Sequence, residues 1–102
     1  MKSHTATKEE KEWMDQISQL GCIVCHREFW IETPAEVHHI AGKVKIGSHF
    51  ATIPLCYEHH RSGRNDEKAT SRHPFKREFE KRYGTQTELL QATKERVEER
   101  FG

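Results

Sequence analysis

Eight histidines and three cysteines fall in clusters along the 102 residues of this chain. Cys22 and Cys25 form a C-x-x-C in "CIVC". In "CYEHH", His59 stands three residues after Cys56, where the second cysteine of another such pair would fall. Two thiolates at C-x-x-C spacing suit one tetrahedral ion, and Cys3His is a closed structural zinc set. An odd number of cysteines makes a poor disulfide framework, and a redox C-x-x-C belongs in a βαβ context that is missing here. Cys22, Cys25, Cys56 and His59 are therefore predicted to hold a structural Zn2+.

The histidines supply a second chemistry. His38 and His39 adjoin in "VHHI", and His59 and His60 adjoin in "CYEHH". Neighbours on a helix point about 100° apart, so a His59 turned to zinc leaves His60 facing elsewhere. Neighbours on a strand point to opposite faces, so one of His38 and His39 can meet His60 while the other turns away. The product is a two-residue metal site with open positions and an imidazole beside it that is not a ligand. That equipment suits metal-assisted hydrolysis of a phosphodiester. An imidazole with an ordinary pKa near ~6.5 can take the proton of the attacking water.

These residues need a scaffold. A capping box of Thr7 and Glu10, followed by Trp13, Ile17 and Leu20 at helical spacing, predicts a helix over about 8–20 that Gly21 closes. "AEVHHI" and "HFATIPLC" read as two short strands of a hairpin joined by the basic "AGKVKIGS", with Pro54 marking a short or edge strand. A helix should start at Tyr57, carry His59 and His60, and end in "RSGRNDEKATS". Pro74 is expected at the first position of the next helix, with Phe75, Phe79 and Tyr83 as its core stripe and Gly84 as its stop. Thr85 and Glu88 form a second capping box, and Leu89, Thr93, Val97 and Phe101 continue as core. Residues 1–7 are expected to fray.

The expected architecture is α+β: one domain over 1–102, a ββα core within 22–65, an N-terminal helix and two C-terminal helices over 74–101. At 33% hydrophobic and 32% charged residues the core must be small, a size at which a bound metal often supplies the missing stability. No apolar run approaches the ~20 residues of a membrane span, and no signal peptide is evident. The protein is expected to be soluble and cytoplasmic. A net charge of +1 says little about partners.

"CIVC", "EVHHI", "IPLCYEHH" and "FEKRYGTQTELL" resemble the HNH (ββα-metal) endonuclease superfamily. More narrowly, they are similar to phage recombination-enhancement nucleases that act with RecA filaments. The HNH motifs span about 22–65, and the closer likeness runs to about 97. The resemblance implies His38 as first ligand of a catalytic Mg2+ or Mn2+, His60 as second ligand and His39 as general base. It implies a bacterial host cell, DNA as substrate and a RecA filament as partner. The asparagine of many HNH motifs would fall near Ala51 and is absent; His49 and Thr52 are the nearest polar residues. No third ligand is obvious, with Asn65 and His73 as candidates; His4 and His26 read as bystanders.

Phosphate contacts are expected from Lys43 and Lys45 in the hairpin connection and from Arg61 or Arg64. Arg72, Lys76 and Arg77 follow further along. The rival reading from another class is a non-catalytic zinc-knuckle module that binds DNA or a protein.

Overall fold

The computed structural model describes residues 5–40 and 48–102. The expectations for residues 1–4 and for Lys43 and Lys45 lie outside the described residues. Helix α1 (Lys8–Leu20) opens as predicted: Thr7 Oγ1 accepts from the Glu10 N–H while Glu10 Oε1 accepts from the Thr7 N–H. Gly21 ends it at φ 81°, where a Cβ would lie 2.8 Å from the Thr33 carbonyl oxygen. Only glycine combines that backbone angle with so close an approach. The chain then turns sharply, with the Cys22 N–H donating to Thr33 O at 3.0 Å.

A short helix, α2 (Ile23–Phe29), was not anticipated from the sequence. Cys22 is its cap, the thiol sulfur accepting from the Cys25 N–H, so the C-x-x-C spacing also starts a helix. Trp30 closes α2 in the left-handed region, at φ 57°.

Strands β1 (Glu36–His39) and β2 (Thr52–Leu55) pair antiparallel, with Glu36 opposite Leu55, Val37 opposite Pro54, His38 opposite Ile53 and His39 opposite Thr52. The second strand begins later than predicted, because His49 lies in a 3-10 turn over Ser48–Phe50. The cause is a set of side-chain bonds. The His49 N–H donates to Glu10 Oε2, and Thr52 Oγ1 donates to the His49 carbonyl. Those groups are spent on a turn and are lost to a strand ladder. Pro54 costs nothing here, since both strands of a two-stranded sheet are edges.

β2 is buried along its whole length, with α1, α2 and α5 packed against it. Its Ile53 and Leu55 join Ile23, Val24, Phe79, Tyr83 and Leu89 in one apolar cluster that also contains the three cysteines. Burying a side chain such as Phe79, which is fully enclosed, is worth about 1.5–3 kcal/mol. Helix α3 (Tyr57–His60) follows β2 directly and holds four residues.

The next helix corrects the reading of Pro74. α4 (Lys76–Tyr83) starts two residues later, and Pro74 sits in a turn over 72–74. That turn is fixed from outside: the Arg72 and His73 N–H groups donate to the His59 and His60 carbonyls, both at 2.9 Å. These bonds satisfy carbonyls that the end of α3 leaves unpaired, and they override the local preference of Pro74 for a helix start. α5 (Gln86–Phe101) carries the second predicted capping box. Leu89 and Thr93 are buried as expected, whereas Phe101 is exposed at the chain's end, under the Arg100 guanidinium. Among the described residues, no helix is long and apolar enough to cross a membrane.

Candidate metal centres

Among the described residues, two clusters of potential metal ligands meet at α3. In the first, Cys22 and Cys25 come from the start of α2, Cys56 from the end of β2 and His59 from α3. His59 Nδ1 lies 3.8, 3.6 and 3.2 Å from the sulfurs of Cys22, Cys25 and Cys56, and the Cys25 and Cys56 sulfurs are 3.8 Å apart. A tetrahedral Zn2+ with ordinary bond lengths requires S–S edges of about 3.8 Å and S–N edges of about 3.5 Å. The cluster therefore has the dimensions of a Cys3His ion site, and it could hold zinc. All four ligands are buried. A hydrogen bond from Cys22 is the largest influence holding the Cys25 and Cys56 thiols below the usual cysteine range, so these two favour the thiolate, while the same bonds push the Cys22 thiol up.

The second cluster holds His38 from β1, His60 from α3 and His73 from the turn before α4. His38 Nδ1 faces His60 Nε2 at 3.2 Å, and the His73 ring centre lies 5.3 and 5.4 Å from theirs. The outer nitrogens are both engaged. His60 Nδ1 lies 2.8 Å from Glu36 Oε1, and His38 Nε2 lies 2.7 Å from Gln86 Oε1. Glu36 is held down to about 2, first by the Arg61 hydrogen bonds and then by His60, so its carboxylate is ionised and can only accept. The hydrogen of His60 therefore sits on Nδ1. Burial pushes His38 down to about 4 against the opposing bond to Gln86, leaving a neutral ring with its hydrogen on Nε2.

A proton on His60 Nε2 would donate to His38 Nδ1, whereas with His60 neutral two lone pairs point at each other across 3.2 Å. Such a pair repels unless a cation sits between. Nitrogens bound at about 2.1 Å and separated by that distance subtend roughly 100° at the metal, an angle compatible with four- or six-coordinate ions. His38 is buried, His60 partly buried and His73 exposed, so the cluster opens to solvent on the His73 side.

His39 lies on the opposite strand face from His38, as alternation requires, with Nε2 2.8 Å from Nδ1 of the buried His49. Asn65 is occupied elsewhere: its Oδ1 accepts from Thr70 Oγ1. Arg61 grips both oxygens of Glu36, and Arg64 pairs with Glu58 and Asp66. Both arginines are thus engaged with carboxylates. His26 contacts the Trp30 ring and belongs to neither cluster.

Sequence reasoning missed Glu36 and Gln86. Glu36 carried a usable signal, since residues two apart on a strand share a face and Glu36 precedes His38 by that interval. Gln86, at the first turn of α5 and 48 positions from His38, carried none.

The buried cysteine–histidine set and the open histidine set beside it each bring together side chains that could hold a metal ion. The sequence model of the recombination enhancement, RecA-dependent nuclease family matches residues 6–98, and the chain belongs to that family. Its family is one of nucleases, enzymes that act on DNA, named for dependence on RecA and for a part in recombination.

Proposed function

We propose that the protein is an HNH-type endonuclease that hydrolyses DNA phosphodiester bonds with one divalent ion held by His38, His60 and His73. In this reading a zinc ion in the Cys3His cluster maintains the fold of a single nuclease domain. The protein acts in the cytoplasm of a bacterial host, on DNA presented by a RecA filament, and is of phage or prophage origin. The observation that carries the reading is the 3.2 Å approach of His38 Nδ1 and His60 Nε2, each with its other nitrogen committed to a partner.

A divalent ion there would neutralise charge on the phosphate and stabilise the leaving oxygen. An all-imidazole set favours Mn2+ over Mg2+ and also accepts Zn2+ or Ni2+. His39 takes one proton from the attacking water as its oxygen bonds to phosphorus. The bond to the leaving sugar oxygen breaks, and that oxygen takes up a proton from solvent. His49 holds the His39 ring, a bracing task that the asparagine of the HNH pattern would otherwise serve. Arg61 and Arg64 supply phosphate contacts only by exchanging their carboxylate partners for DNA, and Lys43 and Lys45 remain candidates for the same work.

The test is nicking of plasmid and displacement-loop DNA in Mn2+ or Mg2+, with and without RecA. His39→Ala should cut on the order of 10²–10⁴-fold more slowly than wild type at equal zinc content. Equal rates for the two proteins would reject the catalytic assignment and leave the zinc-knuckle binding module as the reading.

A further inference from the structure

Three arginines lie on α3's exit and the turn beyond, and they are not alike. Arg61 and Arg64 are matched to carboxylates. Arg72 is not. Among the described residues its side chain makes no hydrogen bond and no ion pair, although its Nε is fully buried. Its backbone is nonetheless fixed, the N–H donating to the His59 carbonyl at 2.9 Å. The next residue is His73, whose ring borders both His38 and His60.

The charge of Arg72 is felt across the cluster. It is one of the influences, after burial, that hold His38 and His73 below the usual histidine range. Burial also lowers Arg72 itself, opposed by Glu80. A guanidinium taken partly out of water with an unpaired donor is destabilising, and beside a candidate ion site an arriving anion would supply the missing partner. The ligand chemistry is narrow. A planar fork of N–H donors matches the paired oxygens of a phosphate, and the three histidines beside it contribute no anionic group.

We propose that Arg72 is the phosphate-binding residue of this site, its guanidinium engaging the non-bridging oxygens of the DNA phosphodiester seated against His38, His60 and His73. The inference rests on the nuclease reading above and specifies the residue that holds the reacting phosphate. It replaces Arg61 and Arg64 as the principal contact, since those two must first release a carboxylate.

The experiment compares wild type, Arg72→Gln and Arg72→Lys at matched zinc content and confirmed cooperative melting. Two readouts are used: cleavage of a defined duplex in Mn2+, and duplex binding against salt with no divalent ion added. Arg72→Gln should lower kcat by about 10²-fold with KM changed less than threefold. Arg72→Lys should recover part of that loss, because it restores the charge without the fork. Without a divalent ion, the salt dependence of binding should become shallower by about 0.9 in the log–log slope for Arg72→Gln, the amount for one phosphate contact. Cleavage within threefold of wild type together with an unchanged slope would overturn the proposal. If Arg72→Gln fails to fold, Arg72→Lys decides: a loss of about tenfold or more supports the assignment and full activity overturns it. A wild type that does not cut would sink the nuclease reading instead, and the salt slope would still report on Arg72.

Discussion

His59 and His60 are neighbours on a four-residue helix, yet they serve surroundings of opposite kind. His59 is 3% exposed and enclosed by three sulfurs from two other segments. His60 meets one buried histidine, one exposed histidine and a carboxylate that faces solvent. A ligand set of thiolates sealed in the apolar core has no position left for a reactant. A set of imidazoles that runs from buried to exposed keeps one side available. The same helical rotation of about 100° separates a centre suited to holding the protein together from one suited to exchanging ligands.

That contrast breaks most visibly at the sulfur cluster. Cys56→Ser, or stripping of the ion by a chelator, should abolish cooperative melting in circular dichroism. Structural zinc contributes apparent free energies of about 10–16 kcal/mol, comparable to the whole stability of a domain of this size. A zinc-free protein that melts within a few degrees of the native one would remove the structural role. His60→Ala should do the reverse. The fold and one equivalent of zinc stay, while DNA cleavage falls on the order of 10³-fold, the loss of about 4 kcal/mol of transition-state stabilisation. If metal analysis shows His60→Ala also losing its zinc, the two histidines do not belong to separate centres.

The parts of this design that could be read from the sequence are local ones. Both capping boxes, Thr7 with Glu10 and Thr85 with Glu88, depend on residues three apart and appear as expected. Cys22, Cys25, Cys56 and His59 converge because each pair sits at a spacing that one turn of chain can close. The approach of one strand histidine to His60 followed from two periodicities alone. Where distant groups intervene, that reasoning fails. Pro74 has the sequence of a helix start, but the preceding turn is claimed by the carbonyls of His59 and His60. His49 has the sequence of a strand, but Glu10, in a helix 39 positions earlier, binds its N–H. The same turn that displaces α4 brings His73 to the open cluster, so the misread element and the hard-to-find third histidine have one cause.

The smallest expected effect tests how the open cluster is aimed. Glu36 joins the two kinds of partner there, accepting from His60 with one oxygen and from Arg61 with both. Since Glu36 is held down to about 2, lowering the pH over the working range does not protonate it, and a substitution is needed to remove its charge. Carboxylates behind metal-bound histidines orient the ring and raise its basicity, and losing one costs about 10–100-fold in ion affinity. Glu36→Gln keeps an oxygen that can accept from His60 Nδ1 and loses only the charge, so Mn2+ affinity by titration calorimetry should fall by about tenfold, the low end of that range. Glu36→Ala removes orientation as well and should reach the high end. Equal losses in the two variants would mean that charge alone matters. No loss in either would mean that the His60 lone pair is aimed without Glu36, and that the opposition of two nitrogens at 3.2 Å has another origin.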